Sequence, residues 1–332
     1  MWIVTGAAGF IGSAFVWKLN NEGIKDIILV DKLHSEQKWL NLRKREYADW
    51  VDRDRLFDWL ADPSKAGSVK GIIHMGACSS TTEQDGDYLL ENNYGYSKKL
   101  WDFAAEKEIP LIYASSAATY GNGEFGYRDE VSPEELRKLL PMNKYGFSKK
   151  IFDDWALKQK KSPPKWAGLK FFNVYGPQEY HKGRMASMVF HTYNQYKATG
   201  KVRLFKSHRK EYADGGQLRD FVYIKDVVDV MYHILTETFP PGIYNIGTGK
   251  ARSFFDLAMN TIRNASGNPE VNPSDVIEYI PMPADLLEKY QYFTEASMEK
   301  LKKAGWKKPF RTLEEGVSDY VTNYLSRDDL YL

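Results

Sequence analysis

Residues 2–23 read WIVTGAAGFIGSAFVWKLNNEG. The apolar run WIVTG (2–6) predicts a strand, and FIGSAFVWKLNNEG (10–23) predicts a helix that stops at Gly23. Between them Gly6, Gly9 and Gly12 follow the spacing G-x-x-G-x-x-G. One such glycine permits the tight turn, one lets backbone approach a pyrophosphate, and one lets helix and strand pack closely. The helix start, with Phe10 and Ile11, then offers unpaired N–H groups and the positive end of the dipole to an anion. A glycine triplet alone marks only a turn. Strand, loop, helix and an acid, Asp31, closing the next strand together read as a dinucleotide site.

Asp31 is placed to bond a ribose hydroxyl, which favours NAD. Lys32, Lys38 and Arg53 are cations that could hold a 2′-phosphate, which favours NADP. From spacing alone Lys38 and Arg53 read equally as solvated surface charge, so the residues leave NADP and NAD open.

Outward from the loop, short apolar runs alternate with helical stretches. DIILVD (26–31), GIIHMGA (71–77), IPLIYASS (109–116) and GLKFFNVYG (168–176) predict strands. Helices are predicted near 53–61, over 83–107 and from Tyr145 to about Lys160. The strand runs lack strict polar alternation, as strands covered on both faces do. The expected fold is α/β, a doubly wound parallel (Rossmann) sheet with a smaller mixed α/β C-terminal substrate lobe. Residues 1–175 are expected to form the dinucleotide-binding domain, with 218–250 partly returning to it, and 176–332 mainly the substrate lobe. Past 177 the regularity weakens to a polar segment (206–217), a late strand (242–247) and helices near 253–266, 295–304 and 312–325.

Composition excludes several classes. The chain has 332 residues, 43% hydrophobic and 27% charged, with net charge +2, too small a bias for nucleic-acid binding. Aromatic residues at 14% suit a packed core and a cleft rather than disorder. A single cysteine, Cys78, rules out a disulfide within one chain and favours a reducing compartment. No signal-like segment follows Met1, and no apolar stretch approaches the roughly 18 residues that span a bilayer. A cytoplasmic protein with no membrane partner is expected. No Cys/His/Asp cluster has metal-ligand spacing, so no metal is expected.

The fourth predicted strand ends in Tyr113-Ala114-Ser115-Ser116-Ala117, and ligands in such sheets bind outside the carboxyl ends of strands. Ser115 and Ser116 are therefore expected to face the cleft. NKYGFSKK (143–150) follows, placing Tyr145 and Lys149 four apart on one helix face. Serine to orient a substrate hydroxyl, tyrosine to exchange its proton and lysine to lower the phenol pKa form a coherent proton-transfer set.

Glycine loop, strand-end serine and Tyr-x-x-x-Lys resemble the extended short-chain dehydrogenase/reductase superfamily. Seven further strings narrow the resemblance: HMGACSSTTEQDG (74–86), ENNYGYSK (91–98), YASSAATYG (113–121), FFNVYGPQEYHKGRMAS (171–187), LRDFVYIKDV (218–227), YNIGTG (244–249) and KYQYFTEA (289–296). They are similar to its ADP-heptose 6-epimerase family across nearly the whole chain. That resemblance implies epimerisation at C6″ of ADP-D-glycero-D-manno-heptose to the L-glycero epimer, by transient oxidation and re-reduction with bound NADP. It implies Tyr145 and Lys182 as acid/bases on opposite faces, supported by Lys149 and Ser116. Spacing alone reads Lys182 as an exposed loop lysine or a phosphate contact, and a lysine base needs a depressed pKa, from burial or a cation such as His181.

By motif, cofactor contacts fall at Gly6, Gly9, Phe10, Ile11, Gly12, Asp31, Lys32, Lys38, Arg53, Met75, Gly76, Ala77, Cys78, Ser79, Asn92, Lys149, Val174 and Lys182. Substrate contacts fall at Asn173, Arg184, His191, Phe205, Lys206, Ser207, His208, Arg219 and Tyr290. Arg219 suits a diphosphate oxyanion. Three features depart from the family pattern: Arg53 for lysine, Arg184 for serine, and a longer 206–217 segment. Blander readings stay open for His74 and Cys78 as buried fillers, Asn92 as a helix contact and His191 as a packed histidine. The family's homo-oligomers, commonly pentamers, and its place in lipopolysaccharide core synthesis come with the resemblance only. Alternatives are a 4-epimerase or dehydratase of the same superfamily, or a non-catalytic NAD(P)-binding regulator. Ala117-Ala118 lacks the acid pair of a dehydratase, and Tyr145 with Lys149 speaks against a silent binder.

Overall fold

The computed structural model describes residues 1–34, 36–129, 132–283, 287 and 290–332. Lys289, the first residue of the last family string, lies outside them. Twelve strands are assigned among the described residues: β1 (Trp2–Thr5), β2 (Ile27–Asp31), β3 (Asp49–Asp52), β4 (Gly71–His74), β5 (Leu111–Ser116), β6 (Trp166–Phe171), β7 (Asn173–Tyr175), β8 (Val202–Phe205), β9 (Leu218–Tyr223), β10 (Gly242–Ile246), β11 (Ala251–Ser253) and β12 (Ile277–Ile280).

Seven of them form one parallel sheet in the order β10-β6-β5-β4-β1-β2-β3. The order runs one way from β1 to β3 and the other from β4 to β10, so the switch point lies between β1 and β4. Adjacent residues of one strand feed opposite sides. Val4 packs with Phe15 and Leu19 of the Phe10–Asn21 helix and with Val227 and Met231 of the Ile224–Thr236 helix. Ile3 packs on the other face with Leu100, Trp101 and Phe152. Each fully buried side chain of this kind contributes about 1.5–3 kcal/mol. Both faces are covered, which is why the strand sequences are apolar throughout rather than alternating.

The fold is α/β with a large parallel Rossmann-like sheet and smaller sheets, β11-β9-β7 and β12-β8. Several elements depart from the sequence reading. β3 was not anticipated: its sequence, Asp49-Trp50-Val51-Asp52, is polar because it is a sheet edge. The run 168–176 is two strands, β6 and β7, belonging to different sheets. The long helix expected over 83–107 is present from Gly86 to Glu106, but its middle, Leu90–Gly95, is π-helical between Gly86–Leu89 and Tyr96–Glu106. The region past 177 is more regular than expected, with helices Met188–Thr199 and Ile224–Thr236. The first is weakly patterned, burying Val189 and Thr192, which hides it from a periodicity reading. No helix among the described residues is long and apolar enough to cross a membrane.

Candidate active site

The glycine loop occupies the switch point. Gly6 has φ +64°, and a Cβ there would lie 2.6 Å from the Gly76 nitrogen. A Cβ on Gly12 would lie 2.1 Å from the Gly6 carbonyl oxygen. The loops after β1 and β4 are thus in backbone contact, and the helix start rests on the turn itself. Gly9 caps that helix without any side-chain hydrogen bond, so the first-turn N–H groups face the cleft. A cradle that side chains would fill, edged by free helical donors, fits the pyrophosphate of a dinucleotide.

At the end of β2, Asp31 accepts from the Ala8 N–H at 2.9 Å and pairs with Lys38 Nζ at 2.9 Å. Lys32 pairs with Asp54, and Arg53 bonds Asp54 at 3.1 Å and the Asn92 side-chain oxygen at 2.7 Å. One cation, Lys38, therefore pairs with the carboxylate expected to meet the ribose, while Lys32 and Arg53 gather on Asp54 nearby. Every residue assigned to the cofactor by motif, from Gly6 to Lys182, lines one cleft of about 550 Å³. Tyr145, Ser116, His181 and Met185 line the same cleft.

Tyr145 and Lys149 lie on the helix Lys144–Ala156, which the Asn143 side chain caps through the Gly146 N–H at 2.7 Å. A Cβ on Gly146 would come within 2.7 Å of the Ala118 carbonyl oxygen, so the glycine lets the helix lie against the turn after Ser116. Ser116 Oγ accepts from the Ala118 N–H at 3.1 Å, leaving its own hydrogen to donate. Burial pushes the Tyr145 phenol up, and the Ser116 hydroxyl pulls it back down. Lys149 follows Tyr145 by one turn on the same helix. Burial drops its own pKa to about 8, and its ammonium donates to the Ala114 carbonyl at 2.9 Å. Ser115 lines the cleft as expected, but its hydroxyl is buried and donates to Asp153 at 2.7 Å.

Lys182 enters from the turn Tyr180–Met185, its ammonium 5.4 Å above the Phe10 ring. Burial lowers its pKa. His181 is not the cation that was expected to help. Burial, then the charges of Lys182 and Lys38, hold its imidazole neutral, down at about 4. The turn is tied by Glu179, which accepts from the Ser187 hydroxyl at 2.7 Å and the Gly176 N–H at 3.3 Å.

A second cavity of about 760 Å³ is larger but holds none of the Ser/Tyr/Lys chemistry. It gathers His191, Phe205 and Tyr290 from the substrate set, with Gln195, Gln217 and Phe254. Arg219 lies buried beneath it, 5.4 Å from the Tyr290 ring and 5.6 Å from Phe254, donating to the carbonyls of Leu218 and Gln291. No carboxylate pairs with it among the described residues, so it offers charge to an anion. Lys206 is exposed, Ser207 donates to the Arg209 carbonyl of its own loop, and His208 Nδ1 lies 2.8 Å from the hydroxyl of Tyr292 in a distant segment. Arg184 is exposed and outside both cavities, as is Asn173 beside the cleft-lining Val174.

Asn93 and the Lys170–Asp153 pair escaped the sequence reading, while His74 is buried, as one of its readings had it. Asn93, buried on the π-helical segment, bonds the Cys78 backbone in both directions and Ser148 Oγ at 3.0 Å. It joins the 75–79 loop to the Tyr145 helix. His74 bridges Thr5 Oγ1 at 2.6 Å and Ser97 Oγ at 2.9 Å, and burial holds it neutral at about 3. Lys170 and Asp153 form a fully buried ion pair. One signal was present: a lysine inside the apolar run GLKFF (168–172) demands a buried acid.

Residues 2–247 match the model of the NAD dependent epimerase/dehydratase family. The chain is 65% identical over all 332 residues to the ADP-L-glycero-D-manno-heptose-6-epimerase of Fusobacterium nucleatum, covering the whole of both chains. It is 48% identical over the same full length to the enzyme of that name from Nitratidesulfovibrio vulgaris. Among solved structures, the Helicobacter pylori ADP-L-glycero-D-manno-heptose-6-epimerase is similar at TM-score 0.76 and 27% identity, over 97% of this chain and 95% of that one. The Thermus thermophilus UDP-glucose 4-epimerase, solved with NAD, is similar at TM-score 0.72 and 25% identity, over 96% of this chain and 97% of that one. With a nicotinamide-type cleft carrying Ser116, Tyr145 and Lys149, the chain belongs to the NAD dependent epimerase/dehydratase family and, within it, to the ADP-L-glycero-D-manno-heptose-6-epimerases.

Proposed function

We propose that this isomerase inverts C6″ of ADP-D-glycero-D-manno-heptose, giving the L-glycero epimer. The observation that carries the reading is full-length identity to enzymes of that name, joined to one cleft that holds both Tyr145 and Lys182. When bound, the nicotinamide supplies a reversible hydride acceptor. Ser116 orients the reacting hydroxyl, and Tyr145 exchanges its proton at hydrogen-bond distance. One fixed phenol serves one face of the carbon. Lys182, its proton loosened by burial, serves the other, so each residue handles one epimer. Lys149 orients the cofactor and the phenol. Arg219, Tyr290, His191 and Phe205 hold the ADP part, the guanidinium on the diphosphate and the rings around the base.

Lys38, Lys32 and Arg53 support NADP over NAD, since these three cations line the cofactor cleft and are shared between two carboxylates, Asp31 and Asp54. A dinucleotide-binding unit of 1–175 with 218–250, a homopentamer, a cytoplasmic location and a role in lipopolysaccharide core synthesis complete the reading. The test is to incubate the purified protein with ADP-D-glycero-D-manno-heptose, without added cofactor, and follow the sugar by NMR. Interconversion of the epimers with no net redox change is expected. A sugar that loses water, or that remains unchanged even in a second incubation supplied with NADP, or that consumes that NADP in step with turnover overturns the reading.

A further inference from the structure

We propose that the buried Lys170–Asp153 pair is a positioning clamp for the reaction, fixing the strand end that bears Ser116 against the helix that bears Tyr145 and Lys149; this rests on the epimerase reading above. Both side chains are 0% exposed, and their charges lie 3.1 Å apart. Asp153 follows Lys149 by four residues and Tyr145 by eight, so all three share one helix face.

Its carboxylate accepts from Tyr113 at 3.0 Å and from Ser115 at 2.7 Å, both on β5. Lys170, on the neighbouring strand β6, also donates to Thr119 Oγ1 at 2.5 Å and lies 4.7 Å from the Tyr120 ring. Thr119 in turn donates to the Ser116 carbonyl at 2.8 Å. The bonds close a circuit from helix to β5, to β6, to the turn, and back to Ser116. A dry ion pair costs desolvation that apolar side chains of the same size avoid, so stability alone is a weak reason to keep one. What this pair adds is a set of directional tethers that packing lacks.

The pair also sets the field at Lys149. The groups facing that ammonium are Asp153 on its own helix, Cys78 from the 75–79 loop and neutral His74 from β4. Asp153 is the carboxylate among them, and it helps Lys149 keep its proton against burial.

The test compares Asp153→Asn, Lys170→Met and the double variant Asp153→Leu/Lys170→Met. Each single strands a buried partner, and a fall in Tm is expected. In the double variant Tm should recover above either single variant, because no charge is stranded, though the Tyr113 and Ser115 hydroxyls still lose their acceptor. Its kcat should stay at least about tenfold down at nearly unchanged KM, as misplaced reacting groups give. The alkaline limb of its kcat profile should move to lower pH. Recovery of kcat together with Tm would overturn the clamp. Should the double variant not fold, Asp153→Glu keeps the charge but shifts the carboxylate by a methylene. A tenfold loss of kcat at retained Tm (roughly, by the same argument) supports the clamp, and unchanged kcat overturns it. A wild type that fails to interconvert the epimers overturns the functional reading instead. The clamp is then judged by fluorescence titration with NADPH: the pH above which affinity falls must move down in the double variant, and an unmoved pH overturns it.

Discussion

Replacing Gly12 by alanine puts the whole nucleotide-site geometry under test. The added Cβ would stand 2.1 Å from the Gly6 oxygen, 2.8 Å from the Gly6 carbonyl carbon and 3.2 Å from the Ala7 Cα. All three are backbone atoms, so no side chain can swing away. Ordinary contact begins at 3.4 Å, so the helix start must retreat by about 1.3 Å (3.4 minus 2.1). Overpacking of this kind costs about 1–3 kcal/mol, a few degrees of Tm in a chain this long. The larger effect falls on the cofactor. The same retreat withdraws the first-turn N–H groups from the pyrophosphate, and each charge-assisted hydrogen bond lost weakens binding by roughly tenfold to a hundredfold.

NADPH fluorescence titration beside a thermal melt separates the two effects. Gly23→Ala is the control: its φ is +77° and nothing lies within 4 Å of the added Cβ. It should cost about 1–2 kcal/mol through handedness while leaving the cofactor Kd unchanged. A Gly12→Ala protein that binds NADPH within twofold of the wild type would refute the reasoning.

Tyr145→Phe and Lys182→Met should each leave partial activity, with opposite preference between the two epimers as starting material. NMR rates from each epimer check this, and equal loss in both directions from both variants argues against two bases. Lys38→Met should raise the Kd for NADP about tenfold or more while moving that for NAD less, since one paired cation is worth on the order of 1.5–3 kcal/mol to a phosphate. Isothermal titration with both dinucleotides decides, and equal loss for both sinks the 2′-phosphate assignment.

Acid stability should depend on His74. Its folded pKa, about 3, lies below the ordinary 6.5, so the unfolded chain binds more protons between those values. Stability is present above pH 6.5 and is lost as pH falls towards 3. Going from pH 6.5 to pH 5 therefore costs about 2 kcal/mol through this one group. His74→Gln should flatten the Tm-against-pH curve over that range, and a parallel curve would remove His74 as the cause.

The N-terminal half was legible because its signals are local. Glycine spacing, an apolar run and a helical stretch lie within 22 residues, and the structure joins them as read. What stayed hidden depends on partners distant in the chain. Ser115 and Ser116 look alike in sequence, yet strand alternation turns one to Asp153 and leaves the other by the phenol. The same holds in part for His181, whose neutrality follows first from burial, then from Lys182 beside it and from Lys38, far away in the chain. β3 escaped because edge strands need not be apolar. Asn93 sat inside a quoted string beside Asn92, but only the π-helical turn shows which of the two is buried.

That turn carries a further consequence. Between Leu90 and Gly95 the backbone holds one more residue per turn than a regular helix needs. Deleting one residue there should let the chain anneal into uninterrupted α-helix, because a surplus residue is what widens the turn. Ser97, Leu100 and Trp101 would keep their seats against His74 and the sheet. The loss would fall on Asn93, whose bonds to Cys78 and Ser148 hold the 75–79 loop to the Tyr145 helix, so such a gap should harm the cleft more than the fold.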